Sequence, residues 1–468
     1  MIKSIELENF KAFKESGKVD FKKINIFVGP NSSGKSSFIK ALLTLKNTIA
    51  SSDNEMTIDF DENIGNFKSV VFGNKIKDRI KFKLNFREDE LNTKISNKVN
   101  LTTSVIKTID VLHKINEDEE YNKNINNFII SLVDRKNKSK IKYIEFFIKL
   151  TKSERIVIDE FNIKYFNSFS SQIKMERNSY YLFFNDEKVN EPNLVKPNKF
   201  FFEINDSKIT SKLSKQNLED ISMLEYAFLD IKEQLVKFTS NIRHIEPLRN
   251  KMKRVEYVTN IKFNNTVGNS GENTITTLVG LEKKYREDSI STVTDEINKW
   301  LNEFDLGKSV SIKRLGNDNY SLYIKNKNNG VNCNILDVGV GTSQLLPIII
   351  ESINSPEETL LIIEEPESHI HPNAQSKLSN LFVDIVNKQN KKFLIETHSI
   401  FLIVQLQILI AQRKIKADDV SIYYFNQSEN GSNIKEMKIL GNGQFEETWP
   451  SGFFDVQLQL GKLLFESL

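Results

Sequence analysis

The stretch Gly29-Pro30-Asn31-Ser32-Ser33-Gly34-Lys35-Ser36-Ser37 constrains this chain more than any other. It fits G-x-x-x-x-G-K-[ST], in which backbone N–H groups cradle phosphates, the Lys reaches the β- and γ-phosphates and the Ser hydroxyl holds Mg²⁺. Such a pattern carries meaning only between a strand and a helix, and both flanks comply. Ile24 to Val28 reads as a buried strand, while Phe38, Ile39, Leu42 and Leu43 repeat at helical spacing. A helix N-terminus then faces the phosphates, where unpaired N–H groups and the positive dipole end favour an anion. A chance Gly/Ser turn would not bring both flanks with it. The stretch predicts an α/β fold built around a nucleotide site.

Composition narrows the class. At 468 residues the chain is long enough for a sizeable core and for about two to three domains. A net charge of +3 implies no nucleic-acid partner by itself, so any such argument must rest on local patches. Cys333 is the only cysteine, which excludes an intrachain disulfide and a Cys-cluster metal site and suits a reducing cytoplasm. Met1 to Glu6 lacks the apolar core of a signal peptide. Phe401 to Ala411, the longest notably apolar run, is too short and too polar to span a bilayer. The expectation is a soluble, cytoplasmic protein without a membrane partner.

Along the chain, alternation predicts strands at Ile2 to Phe10, Val19 to Phe21 and Ile24 to Val28. Of the 18 Gly, none lies between Gly73 and Gly268, so that middle stretch is not expected to add a phosphate loop. Within it, Val105 to Ile115 and Ile125 to Leu132 suggest helices. Tyr143 to Thr151, Arg155 to Phe166, Tyr180 to Phe184 and Phe200 to Ile204 suggest strands. Ile221, Leu224, Phe228, Ile231, Leu235 and Phe238 alternate steps of three and four, a short heptad seam. Packing of that helix on its own domain is favoured over a dimerising coiled coil. Ile275 to Phe304 reads as mostly helical, and Val310 to Arg314 with Tyr320 to Lys325 as a hairpin.

Arg243, Arg249, Lys251, Lys253 and Arg254 crowd a short segment with one acid, Glu246. A solvated charged face is the ordinary explanation, and DNA contact through Arg249, Lys251 and Arg254 the sharper one.

The second half of a nucleotide site follows downstream. Asp337 to Gln344 is a Gly-rich, hydroxyl-bearing loop running into an apolar helix from about Leu345. Leu360 to Ile363 reads as a buried strand with Glu364 and Glu365 at its tip, where one carboxylate can hold Mg²⁺ and another can orient or deprotonate a water. Pro366-Glu367-Ser368-His369-Ile370-His371-Pro372 then forms a stiff polar loop where α/β sheets place their sites. Lys392 to Ile395 is one more short strand, ending at Glu396-Thr397-His398-Ser399, which sets His398 at a strand end within reach of a γ-phosphate. His369 and His371 invite a zinc reading, but without a third ligand a hydrogen-bonded turn is preferred.

These residues together carry a resemblance. The ordered phosphate loop, Gly-rich loop, Ile362-Ile363-Glu364-Glu365-Pro366-Glu367 and Glu396-Thr397-His398-Ser399 resemble ABC-type ATPase heads of the SMC-like and OLD-like group. Ile5 to Phe13 is similar to the first strand of those heads. Ile245-Glu246-Pro247-Leu248-Arg249, Asp337 to Pro347 and Trp449-Pro450-Ser451-Gly452-Phe453-Phe454-Asp455 resemble a standalone prokaryotic branch. The resemblance implies an ABC-type P-loop head, a mixed sheet with helices, interrupted by an inserted α+β region. Its parts would be residues 1–95, an insertion at 96–240, a second part of the head at 241–440 and an aromatic tail at 441–468. It also implies roles. Lys35 would bind phosphates, Ser36 and Glu364 would hold Mg²⁺, Glu365 would be the catalytic carboxylate and His398 the switch histidine. Gly339, Gly341, Thr342 and Ser343 would close over ATP held by another subunit, making a head-to-head dimer. Three positions depart from the pattern. Glu364 stands where Asp is usual, Gly339 replaces the usual Ser, and the lobe-linking Gln has no clear counterpart, with Asn63 to Phe67 its candidate region.

Only 70 residues follow His398 (468 − 398), without the acidic cluster of the Toprim nuclease domain carried by OLD-type proteins. The expected activity is therefore an ATPase switch that controls a separate effector, a nuclease or toxin, as in prokaryotic anti-phage defence. The alternatives are a DNA-binding repair-type clamp and an ATP-bound scaffold with little turnover.

Overall fold

The computed structural model describes residues 2–52, 58–60, 64–88, 140–167, 169–258, 266–288, 292–316, 318–450 and 463–466. The first half of the chain supplies β1 (Ile2–Phe10), β2 (Phe13–Asp20), β3 (Ile24–Val28), α1 (Lys35–Ala50), a one-turn α2 (Phe67–Val70), β4 (Ile80–Phe86), β5 (Ile141–Leu150), β6 (Ile156–Tyr165), β7 (Ser170–Glu176), β8 (Ser179–Phe184), β9 (Glu187–Lys188), β10 (Val195–Asn198), β11 (Phe201–Ile204) and α3 (Lys215–Ser240). The second half supplies β12 (Ile242–Ile245), β13 (Glu256–Tyr257), α4 (Thr274–Asp288), α5 (Thr292–Glu303), β14 (Ser309–Gly316), β15 (Asn319–Lys325), β16 (Asn332–Asn334), α6 (Val340–Asn354), β17 (Leu360–Glu364), α7 (Pro372–Gln389), β18 (Lys392–Glu396), α8 (Ile400–Ala411), β19 (Val420–Ser428) and β20 (Gly431–Glu436). The architecture is mixed α/β. Among the described residues no helix is long and apolar enough to cross a membrane.

Two compact units emerge, each assembled from separated stretches. Unit 1 comprises Met1–Asp20, Ser36–Ser240 and Gln427–Asn433; unit 2 comprises Phe21–Lys35, Asn241–Asn426 and Ile434–Leu468.

Unit 1 holds an eight-stranded sheet in the order β2-β1-β4-β5-β6-β7-β8-β9, antiparallel throughout. Strict alternation explains its one-sided burial. In β4 the residues Ile80, Phe82, Leu84 and Phe86 are buried, with Lys81, Lys83 and Asn85 between them partly exposed. Ring contacts run along the buried face: Phe10 to Phe82 at 5.5 Å, Phe82 to Phe146 at 5.2 Å, and Phe146 to Phe200, in the turn before β11, at 5.1 Å between centroids. The seam of α3 is buried along Ile221, Leu224, Phe228, Ile231, Leu235 and Phe238, and Phe228 meets Phe161 at 6.4 Å. That helix spends its apolar face inside its own unit, as the sequence favoured. The expected strands at 143–151, 155–166, 180–184 and 200–204 are present as β5, β6, β8 and β11. The helices expected at 105–115 and 125–132 lie outside the described residues.

Unit 2 carries the phosphate loop as far as Lys35, and Ser36 and Ser37 belong to unit 1. Its six-stranded sheet runs β12-β17-β18-β3-β19-β20, parallel from β12 through β19. All five residues of β3 are buried, as are Leu360–Ile363 of β17. Continuous burial of this kind is what a parallel strand covered on both faces requires. Asn25, 0% exposed, pins the centre: Nδ2 donates to the Phe393 carbonyl at 2.9 Å, and Oδ1 accepts from Ser421 Oγ at 2.8 Å. A smaller antiparallel sheet, β13-β15-β14 with β16 on β15, contains the expected hairpin.

Candidate functional site

Parallel strands in register place their exits side by side. Ile245, Ile363, Ile395 and Ile26 pair in line across β12, β17, β18 and β3, so the next few residues of each strand share one edge. That carboxyl edge is where α/β sheets hold ligands.

At the exit of β3, Gly29 has φ +146°, and a Cβ there would sit 2.2 Å from the Phe425 carbonyl oxygen of neighbouring β19. Only glycine turns here. The loop leads into α1, whose first residue, Lys35, is 3% exposed. Its ammonium donates to the Gly29 and Pro30 carbonyls at 3.1 and 2.9 Å and lies 3.8 Å from Glu396 Oε1. Burial lowers the Lys35 pKa, and the carboxylates of Glu396, Glu365 and Glu367 pull the other way.

At the exit of β17, Glu364 Oε1 and His244 Nε2 of β12 lie 2.6 Å apart. Glu365 then adopts φ +44° directly before Pro366. A non-glycine residue in the left-handed region costs about 1–3 kcal/mol, and the position before proline is restricted further. Three groups hold its backbone there. The Glu365 N–H donates to the Glu396 carbonyl at 2.8 Å, the Ser368 N–H donates to the Glu365 carbonyl at 3.2 Å, and Arg249 Nη2 donates to the carbonyls of Glu364 and Glu365 at 2.8 and 3.2 Å. Ser368 Oγ donates to the Glu365 carboxylate at 3.0 Å. Arg249 is 6% exposed; burial pushes its guanidinium down to about 10 against the pull of Glu367, Glu365 and Glu364.

At the exit of β18, Thr397 N–H donates to the Phe27 carbonyl at 3.0 Å, tying this turn to β3. The next amide, of His398, donates to Glu367 Oε1 at 2.6 Å. Burial raises the Glu367 pKa. Partial desolvation of the imidazole and the nearby Lys35 charge lower the His398 pKa, with Glu365 opposing. A neutral imidazole is therefore favoured near pH 7.

The structure thus brings together Lys35, Glu364, Glu365 and His398. It adds four residues whose part in the site the sequence reading did not assign: His244, Arg249, Glu367 and Glu396. The surface patch expected of Arg249, Lys251 and Arg254 does not include Arg249, which is 6% exposed. The guanidinium is buried under the β17 turn, and Arg254 is paired with Asp337 at 2.5 Å, so only Lys251 and Lys253 of the run stand exposed without such a bond.

The Gly-rich stretch also differs from expectation. Helix α6 begins at Val340, five residues before Leu345, so Gly341, Thr342 and Ser343 form its first turn, with Gly339 as N-cap. A Cβ at Gly341 would meet the His369 carbonyl at 3.1 Å and Ile370 Cγ2 at 3.3 Å, so glycine lets this turn approach the Pro366–Pro372 loop. Thr342 is 5% exposed and therefore turned inward, whereas Ser343 is half-buried and donates to the Val340 carbonyl. Of the two histidines that invited a zinc reading, His371 caps α7 by accepting from the Asn373 N–H at 3.2 Å. Among the described residues no His, Cys, Asp and Glu cluster is arranged to hold a metal ion. Trp449 packs against Phe445 and Tyr424 at centroid distances of 5.0 and 5.9 Å; Phe453, Phe454 and Asp455 lie outside the described residues.

The residues suit a polyphosphate. A buried cation, a positive-φ glycine loop and a helix N-terminus converge, and Ser33 Oγ is buried there without a hydrogen-bond partner. Glu364 offers hard carboxylate oxygen, the donor type that Mg²⁺ takes alongside phosphate and water.

Comparison with known proteins agrees with this chemistry. Residues 1–403 match the family model described as AAA ATPase domain, and residues 415–462 match one described as a protein of unknown function. No curated protein matches. Similar solved structures include the SmcHead bound to the C-winged helix domain of ScpA, at 11% identity and TM-score 0.40, covering 93% of this chain and 97% of that one. The SMC head domain from Thermotoga maritima gives 10% identity and TM-score 0.34, covering 94% and 99%. The Smc head with an extended coiled coil bound to the C-terminal domain of ScpA from Pyrococcus furiosus gives 10% and 0.37, covering 99% and 98%. At TM-scores below 0.5 these likenesses carry no inference. The family model spans most of the chain: the chain belongs to the AAA ATPase domain family.

Proposed function

We propose that this chain is an ATP-hydrolysing switch of the ABC type, SMC-like and OLD-like in its head. The carrying observation is the meeting of Lys35, Glu365 and His398 at the exits of β3, β17 and β18. In this reading the loop from Gly29 to Ser37 receives the phosphates of ATP and Lys35 neutralises the β- and γ-phosphates. Ser36 and Glu364 would hold Mg²⁺, whose charge would offset that of the phosphate oxygens. Glu365 accepts a proton from the attacking water, and the γ-phosphoryl passes to that water with ADP leaving. His398, a neutral donor, contacts the transferring group.

The resemblance to ABC-type heads supports a second part of the proposal. Two heads close around ATP, with Gly339, Gly341, Thr342 and Ser343 of one facing nucleotide on the other. Hydrolysis then changes how a separate effector, a nuclease or toxin, is held, in a cytoplasmic anti-phage role. Phosphate release by wild type against Glu365→Gln and Lys35→Ala tests the chemistry. Both variants should fall by about 10²-fold or more, and equal rates in all three would refute it. ATP-dependent dimerisation of Glu365→Gln, read by light scattering, tests the closure.

A further inference from the structure

We infer that Arg249 is a positioning residue for hydrolysis, holding Glu365 in its working conformation and linking it to helix α6, which begins at Val340. This rests on the reading of Glu365 as the proton acceptor.

Three observations carry it. Glu365 is at φ +44° before Pro366, a backbone state that neither a glutamate nor a residue preceding proline adopts readily. Its N–H side is fixed by the Glu396 carbonyl; its C=O accepts from the Ser368 N–H within the turn and, from outside it, from Arg249 Nη2, which also takes the Glu364 carbonyl. One guanidinium nitrogen therefore bridges the two residues whose side chains are assigned to metal and to water. Second, the guanidinium is buried, and its Nε and Nη1 have no hydrogen-bond partner. A cation so placed costs stability, and its return is the geometry of the turn above it. Third, the Arg249 carbonyl accepts from Gln344 Nε2 at 3.4 Å, and Gln344 lies one turn along α6 from Val340. The loop from Ile245 to Arg249 thus touches the catalytic turn with its side chain and the Gly-rich helix with its backbone.

The test compares Arg249→Ala and Arg249→Lys in the full chain. Removing an outer contact of this kind lowers turnover by about 10- to 100-fold. Because the Arg249 side chain, among the described residues, hydrogen-bonds only the Glu364 and Glu365 carbonyls, affinity for a fluorescent ATP analogue should stay within about threefold. Lysine, which keeps the charge but not the fork, should recover part of kcat. Combined with Glu365→Gln, Arg249→Ala should add no further loss. A matching loss of nucleotide affinity, or a fully additive double variant, would overturn the proposal. Hydrogen exchange reads the turn without turnover. Amides from Glu365 to Ser368 should exchange faster in Arg249→Ala, and unchanged exchange there refutes the positioning role. Should the wild type show no ATPase activity while exchange responds as expected, the reading of Glu365 as proton acceptor fails and the hold of Arg249 on the turn stands.

Discussion

Lys391 offers the sharpest physical test of the fold that carries the site. It is 1% exposed, and its ammonium donates to the Ser352 and Ile353 carbonyls at 2.9 Å each, capping the C-terminal end of α6. A cation suits that end of a helix, but burial wins and pushes its pKa from 10.5 to about 8, against Glu351, Glu296 and Glu357. The sign follows from proton counts. Between those values the unfolded chain binds a proton that the folded chain has released, so stability rises with pH. Below about 8 the lysine is charged in both states and the whole cost is present; above 10.5 it is absent. Two and a half decades of acidity at 1.36 kcal/mol each set the change at about 3 kcal/mol. The comparison is with Lys391→Met, which has no titrating group. Orphaning two carbonyls lowers that variant's stability at every pH without imposing a slope, and other groups cancel in the difference. Urea unfolding followed by tryptophan fluorescence suits the measurement, since Trp300 and Trp449 are the only tryptophans and both belong to unit 2. Wild type minus variant should climb by about 3 kcal/mol from pH 7.5 to 10.5. A flat or falling difference would show that the ammonium is as well solvated by those two carbonyls as by water.

Other outcomes follow from single contacts. Gly29→Ala forces a Cβ against the Phe425 carbonyl at 2.2 Å, and about 1–3 kcal/mol of strain should weaken ATP-analogue binding by roughly 5- to 150-fold. Unchanged affinity would mean the loop is not the cradle. Asn25→Ala removes the side chain bridging Phe393 and Ser421, and should lower the stability of unit 2 by about 2–4 kcal/mol in the same urea assay. His244→Ala frees Glu364 Oε1 and should raise the Mg²⁺ concentration for half-maximal turnover by about 10- to 100-fold, with ATP affinity little changed. Loss of ATP binding in that variant would count against Glu364 as the metal carboxylate.

What the sequence disclosed follows from how local each signal is. The phosphate loop and the Leu360 to Glu365 stretch were legible because strand, turn and site residues are contiguous there. His398 was legible by its place after a strand. Arg249 was not, since a run of cations reads as one charged face until strand pairing shows that β12 delivers this residue beneath the β17 turn. Glu396 and Glu367 were visible as acids but not as partners of Lys35 and of the His398 amide, which are relations between segments. The start of α6 was misplaced because Gly339 and Gly341 are poor helix formers, and the contact with His369 and Ile370 overrides that preference. In unit 1, β4 pairs with β5 through Phe82 and Phe146, joining strands on both sides of the boundary expected near residue 95.

The position of β3 has a consequence for how the protein is made. It lies between β18 and β19, yet it leaves the ribosome long before either. From Val28 to Lys392 the chain lengthens by 364 residues (392 − 28), which at about 5–20 residues per second takes roughly 20–70 s. Throughout that interval Ile24-Asn25-Ile26-Phe27-Val28 is an apolar strand with neither neighbour yet synthesised. Such unpaired edges are what chaperones bind and what seeds aggregation. The centre of the nucleotide-binding sheet is thus its first strand made and among its last satisfied, and a rearranged gene beginning at residue 241 and ending with residues 1–240 would shorten the wait.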